Sequence, residues 1–295
     1  MRRHGAPAEA VAPGCLPRPA AWREDPYADA LDSGQGPLFL RRSDGWLLPL
    51  DVERWCAAPD AADQSVLARC RGAVLDIGCG PGRLAAALAA RGHRALGIDV
   101  SPAAVARTER LGGLALCRSV FEPLPGEGRW DTALLIDGNI GIGGDPTALL
   151  GRLGSVTGPA ARVIAECVPV DVDECCEVRL DNGSGALGEP FTWARLGARA
   201  LHEHARVTGW HVTEEWSVAG RVFAELSRRP QTPSSGARGP GCCPDPGRAP
   251  GSGPGSGSGP RSGSGPRSAA FPVPGAWSPG PRRGEGCGPE PGSGG

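Results

Sequence analysis

The run Asp76-Ile77-Gly78-Cys79-Gly80-Pro81-Gly82 joins a strand-forming stretch to an alanine-rich helical one. Glycines at alternate positions let the backbone turn sharply and let a ligand approach where a Cβ would collide. Pro81 suits the first turn of a helix, where its missing N–H costs nothing. A second strand-like run follows and ends at Asp99, 17 positions after Gly82. This is the outline of a nucleotide site, and its chemistry turns on whether phosphates hold the ligand. A dinucleotide fingerprint reads GxGxxG, its third glycine packing helix on strand. Here the sixth position is Arg83 and the glycines fall as GxGxG. A GxxxxGK[ST] phosphate loop is excluded, because the chain contains no lysine. Further along, "LLIDGNIGIGGD", residues 134–145, carries an apolar run to Asp137 and then turns through four glycines. Asp137 is a candidate general base or orienting group, and Asn139 a candidate hydrogen-bonding partner for a ligand. The alternative is that Asp137 caps a loop N–H and the glycines merely make a tight turn.

The elements that must position these residues alternate. Strand 73–78 precedes helix 82–91, strand 94–99 precedes helix 102–111, and strand 114–119 leads through a Pro/Gly loop to strand 131–137. Helix 146–157 and strand 161–167 follow, then an ill-defined segment, 170–190, and helix 193–208. "WHVTEEWSV" and "RVFAELSRR", joined at Ala219-Gly220, have no helix between them and predict an antiparallel hairpin. Such alternation predicts an α/β fold, a mostly parallel sheet covered on both faces, with a ligand crevice at the carboxyl ends of the strands. Ahead of it, "DPYADALDSG" reads as a helix entered at Asp25-Pro26. "PLFLRRSDGWLLPL" reads as two strands about Ser43-Asp44-Gly45, and the next stretch is helical with a break at Pro59. Four zones result: a flexible 1–22, a helical and hairpin cap over 23–69, the α/β domain at 70–229, and a Gly/Pro/Ser-rich tail at 230–295 expected to be disordered.

"VLDIGCGPGR" followed by "GIDVS" resembles motif I and the acidic motif of the class I S-adenosylmethionine-dependent methyltransferases. The resemblance covers roughly 70–228 and implies a Rossmann-like seven-stranded sheet of order 3-2-1-4-5-7-6. It implies S-adenosylmethionine as cofactor, the turn at Asp76, Gly78, Cys79, Gly80 and Gly82 wrapping its amino-acid end. Asp99 would accept hydrogen bonds from both ribose hydroxyls, a task that suits an acceptor-only carboxylate; as a rival role, Asp99 could cap helix 102–111. Val120 and Phe121 could pack on the adenine ring, the alternative being that Phe121 is simply core, and Val100 is a further cofactor-binding candidate. Ser119 stands where many relatives carry an acid that meets the adenine amino group. Asp137 and Asn139 fall where the family faces the transferred methyl. The implied reaction is methyl transfer to an oxygen, nitrogen or carbon of an acceptor, expected to be a small molecule. A nicotinamide-dependent oxidoreductase and a non-catalytic binding protein of the same fold are the rivals.

Composition agrees. Formal charge is −1, but residues 231–295 hold six arginines against three acids, leaving the rest at −4. A mildly acidic body disfavours a nucleic-acid partner. Eleven cysteines include no CxxC, and the adjacent pairs Cys175-Cys176 and Cys242-Cys243 suit zinc poorly, so reduced thiols and no metal site are expected. The first twenty residues lack the apolar core of a signal peptide and no window is apolar enough to span a membrane, which predicts a cytoplasmic protein. His202 and His204 point in different directions on a helix. Glu166 could border the substrate pocket or be a satisfied strand-end carboxylate. Any of Tyr27, Trp46 and Trp55 could cover the site from the cap.

Overall fold

The computed structural model describes residues 25–228; the expectations for 1–22 and for the tail lie outside the described residues. The elements run α1 Asp25–Ser33, β1 Phe39–Arg42, β2 Leu47–Pro49, α2 Val52–Cys56, α3 Ala61–Leu67, β3 Ala73–Ile77, α4 Arg83–Ala90, β4 Arg94–Asp99, α5 Pro102–Arg110, β5 Ala115–Cys117 and β6 Trp130–Leu135. A short 3-10 turn, Asn139–Gly141, precedes α6 Pro146–Val156, β7 Thr157–Cys167, β8 Asp173–Asp181, β9 Ala186–Leu196, α7 Ala198–Val207, β10 Trp210–Val218 and β11 Arg221–Arg228.

Seven strands form one sheet in the order β10-β11-β7-β6-β3-β4-β5. Numbered along the chain within that sheet, the order is the expected 3-2-1-4-5-7-6. β3, β4, β5, β6 and β7 are parallel neighbours, while β11 pairs antiparallel with both β7 and β10. All five residues of the central β3 are buried, as a strand covered on both faces requires. One face packs Leu75, Leu135 and Val163 against Leu149, Leu153 and Leu201; the other packs Val74, Leu134 and Ile164 against Val66, Leu84 and Leu88. Local chemistry fixes the helix starts. Asp60 and Asp63 make a reciprocal capping box at α3. Ser101 and Asp145 cap α5 and α6, each followed by proline.

The segment that sequence patterning left undefined is ordered as two strands. β8 and β9 pair antiparallel, and β8 also pairs with β1, giving a second sheet of order β2-β1-β8-β9. The helix predicted from 193 begins only at Ala198, since Phe191–Leu196 continues β9 and Gly197 caps α7. Phe191, Trp193 and Leu196 are strand-favouring and bulky, and cross-strand pairing outweighs the helical periodicity around them. Tyr27, Leu31, Leu40 and Val52 from the N-terminal elements share a buried cluster with Val178, Leu180 and Phe191. The cap is therefore built from two segments more than a hundred residues apart.

Candidate active site

β3, β4 and β6 run parallel and end on the same side, so their C-terminal loops border one cleft of about 560 Å³. Asp76, Gly78, Cys79, Gly80, Asp99, Val100, Val120, Phe121, Asp137 and Asn139 all line it. Gly82 does not line it. Gly82 sits at φ 91° as the N-cap of α4, and a Cβ there would lie 2.5 Å from Thr108 Oγ1. Its work is close packing of the start of α4 against Thr108 of α5.

The glycine turn is held from both sides. The N–H groups of Gly78 and Cys79 donate to Ile98 O at 2.8 and 3.0 Å. Asn139 Nδ2 donates to Ile77 O and Gly78 O, each at 2.9 Å. Gly80, at φ 53°, faces open space: an added Cβ would meet only the Tyr27 hydroxyl, at 3.6 Å. Asp99 Oδ2 accepts from Gly80 N–H at 2.9 Å and Oδ1 from Ser101 N–H at 2.8 Å. Ser101, not Asp99, caps α5. Burial raises the Asp99 carboxyl to about 6, against the lowering pull of those N–H donors. Asp76 is 3% exposed, and its Oδ2 has no hydrogen-bond partner. Burial drives this carboxyl up to about 7, with Arg83 opposing and Asp137, Asp99 and Asp63 adding. A buried carboxylate oxygen left unpaired is costly, which marks a place where a ligand's donor fits.

Asp137 lies at the cleft's edge in the left-handed region, φ 59°. Its Oδ1 pairs with Arg54 Nη1 and, at 3.1 Å, with Arg221 Nη2; its Oδ2 pairs with Arg83 Nη2 at 2.9 Å. Glu166 Oε2 accepts its backbone N–H at 2.8 Å. Glu166 does not border the cleft; it is a satisfied strand-end carboxylate bound by Arg221. Buried Asp63 completes the network, accepting from Arg83 Nη2 at 3.0 Å and Arg221 Nη1 at 2.8 Å. Arg83, the residue that breaks the dinucleotide pattern, is thus a buried structural cation.

The second sheet closes the cleft. Thr192 and Trp193 of β9 line it, and Thr192 Oγ1 donates to Gly143 O at 3.0 Å. From the N-terminal elements Tyr27 and Trp55 line it, ring to ring at 6.5 Å, edge-on. Trp46 does not line the cleft; the guanidinium groups of Arg42 and Arg195 each lie over its ring. Ser119 lines the cleft and its hydroxyl accepts from Phe121 N–H at 3.3 Å. His202 meets Glu215 while His204 meets Thr147 and Asp173. Among the described residues no group of three or more His, Cys, Asp or Glu could hold a metal, and the seven described cysteines are free thiols.

A mostly parallel sheet with this strand order, a glycine turn after its first strand and an acid closing its second define a class I methyltransferase fold. Residues 74–150 match the family model for a methyltransferase domain, and the described fold is that of the class I S-adenosylmethionine-dependent methyltransferases. Among solved structures it is similar to an S-adenosylmethionine-dependent methyltransferase of Bacteroides fragilis, in complex with S-adenosylhomocysteine. That likeness is at 19% identity and TM-score 0.58, covering 72% of this chain and 97% of that one. The CcbJ methyltransferase of Streptomyces caelestis matches at 14% identity and TM-score 0.49, covering 70% of this chain and 98% of that one. A 1,6-didemethyltoxoflavin-N1-methyltransferase of Burkholderia thailandensis matches at 20% identity and TM-score 0.44, covering 57% and 78%. The first of these carries the fold.

Proposed function

We propose that the chain transfers a methyl group from S-adenosylmethionine to a small-molecule acceptor enclosed between the glycine turn and the second sheet. The observation that carries this reading is the unpartnered, buried Oδ2 of Asp76 in the wall of the cleft. The cofactor's ammonium is a donor that suits it. The residues present fit the rest of the cofactor too. Gly80 leaves the space that a Cβ would fill. Asp99 is a nearly buried carboxylate whose two N–H partners leave lone pairs for a diol. Val100, Val120 and Phe121 offer an apolar wall for a purine. Tyr27 would shut the amino-acid end.

When bound, the cofactor supplies a methyl group already activated on a sulfonium sulfur. The chain's part is to hold the acceptor's nucleophile in line and to exclude water. Thr192 and Trp193 on one side and Trp55 on the other do this by roofing the cleft. Its size lies in the range of small-molecule sites, and an acceptor must be small enough to enter beneath the roof. Both Asp137 oxygens are engaged by guanidinium groups, so the reading gives Asp137 the task of fixing its loop rather than abstracting a proton. A base is needed only where the nucleophile is protonated at working pH.

The test is transfer of labelled methyl from S-adenosylmethionine in the presence of a cell extract split by size. Label is expected in the low-molecular-weight fraction. Label confined to macromolecules would overturn the small-molecule reading. Cofactor binding with no label transferred to either fraction would leave a binding protein instead of an enzyme.

A further inference from the structure

The ion network below the cleft joins residues far apart in sequence, and one of them touches every carboxylate at its centre. Arg221 opens β11 at the turn of the terminal hairpin, its side chain 12% exposed. Its Nη1 lies 2.8 Å from Asp63, and its Nη2 lies 3.1 Å from Asp137 and 2.7 Å from Glu166. Asp137 holds a left-handed backbone that a residue with a Cβ rarely adopts. Arg221 binds its side chain directly and also holds Glu166, the acceptor for its N–H. Two residues on, Asn139 donates to the carbonyls of Ile77 and Gly78 in the glycine turn.

We propose that Arg221 is a positioning residue for the cofactor cleft: by clamping Asp137 and Glu166 it sets the loop from which Asn139 braces the glycine turn. Arg221 itself lines no part of the cleft and lies beyond the matched segment 74–150, so its effect passes through Asp137 and Asn139. A planar fork with several donors can engage three carboxylates at once, which a lysine ammonium does less well. The inference rests on reading the cleft as an S-adenosylmethionine site.

Calorimetric titration of the full chain with S-adenosylhomocysteine tests it, with melting temperature measured in parallel. Arg221→Gln is expected to raise Kd tenfold or more in a protein that still melts cooperatively. Arg221→Lys should recover part of that loss. Leu201→Ala, in the core on α7 and away from the cleft, should lower the melting temperature and leave Kd unchanged. Affinity of Arg221→Gln within twofold of the parent would overturn the proposal while leaving the cofactor reading intact. So would an equal loss of affinity in Leu201→Ala, because the effect would then be general destabilisation. Where Arg221→Gln does not fold, the isosteric Glu166→Gln takes its place. A Kd raised fivefold or more is then expected, and an unchanged Kd overturns the proposal. A parent chain that does not bind S-adenosylhomocysteine would overturn both readings together.

Discussion

At the scale of single residues, two buried carboxylates set the behaviour of the cleft. Asp76 and Asp99 are both raised chiefly by burial, to about 7 and about 6. Their folded values exceed the unfolded ones, so the folded chain binds protons more tightly than the unfolded chain. Stability from these groups is therefore greatest below about pH 4 and falls as pH rises through about 7. Cofactor binding runs the other way, because an ammonium partner needs Asp76 ionised. S-adenosylhomocysteine affinity is expected to rise about tenfold from pH 6 to pH 8, and Asp76→Asn should weaken binding and flatten that profile. Titrations at several pH values check it; a profile that persists in Asp76→Asn would move the titration to another group. Asp99→Ala should weaken affinity several-fold, and an unchanged Kd would remove Asp99 from the site. Asp76 and Asp99 were legible in the sequence because they sit at fixed offsets from a glycine turn. The partners of Asp137 were not. Arg54 and Arg221 carry no motif, and only the tertiary fold brings them to Asp137.

At the scale of elements, glycines two positions apart do different work, and substitution separates them. Gly82→Ala would put a Cβ 2.6 Å from the Thr108 Cα, a backbone atom that cannot step aside. It should destabilise the fold by at least about 2 kcal/mol, seen as a lower denaturation midpoint. Gly80→Ala meets no such obstacle. It should cost only roughly 1 kcal/mol of backbone strain, yet weaken S-adenosylhomocysteine about tenfold, since its methyl group enters the ligand's space. Equal losses of stability in the two variants would contradict this division. β3, β4 and β6 were readable because each carries an apolar run and is followed by a helix start. β8 and β9 were not, for two physical reasons. β8 opens with three acids and two adjacent cysteines, none of them buried. β9 pairs with β8 and β8 with β1, and no local pattern announces a partner 134 residues away such as Arg42 for Cys176.

At the scale of the whole molecule, the described fold closes on itself at β11. Leu226 and Phe223 of β11 join the hydrophobic clusters on the two faces of the seven-stranded sheet. Deleting 231–295 is expected to leave the melting temperature and cofactor affinity unchanged; a fall of several degrees would make that segment part of the domain. The nicotinamide alternative fails at this scale as well. The helix after the glycine turn starts with Arg83, bound by Asp63 and Asp137, where a dinucleotide fingerprint needs a glycine to pack helix on strand. The most direct measurement is calorimetric titration of the full chain with S-adenosylhomocysteine, with NADH as the control ligand. Micromolar binding of S-adenosylhomocysteine alone is the predicted result. Binding of NADH, or of neither ligand, would contradict the assignment of the cleft.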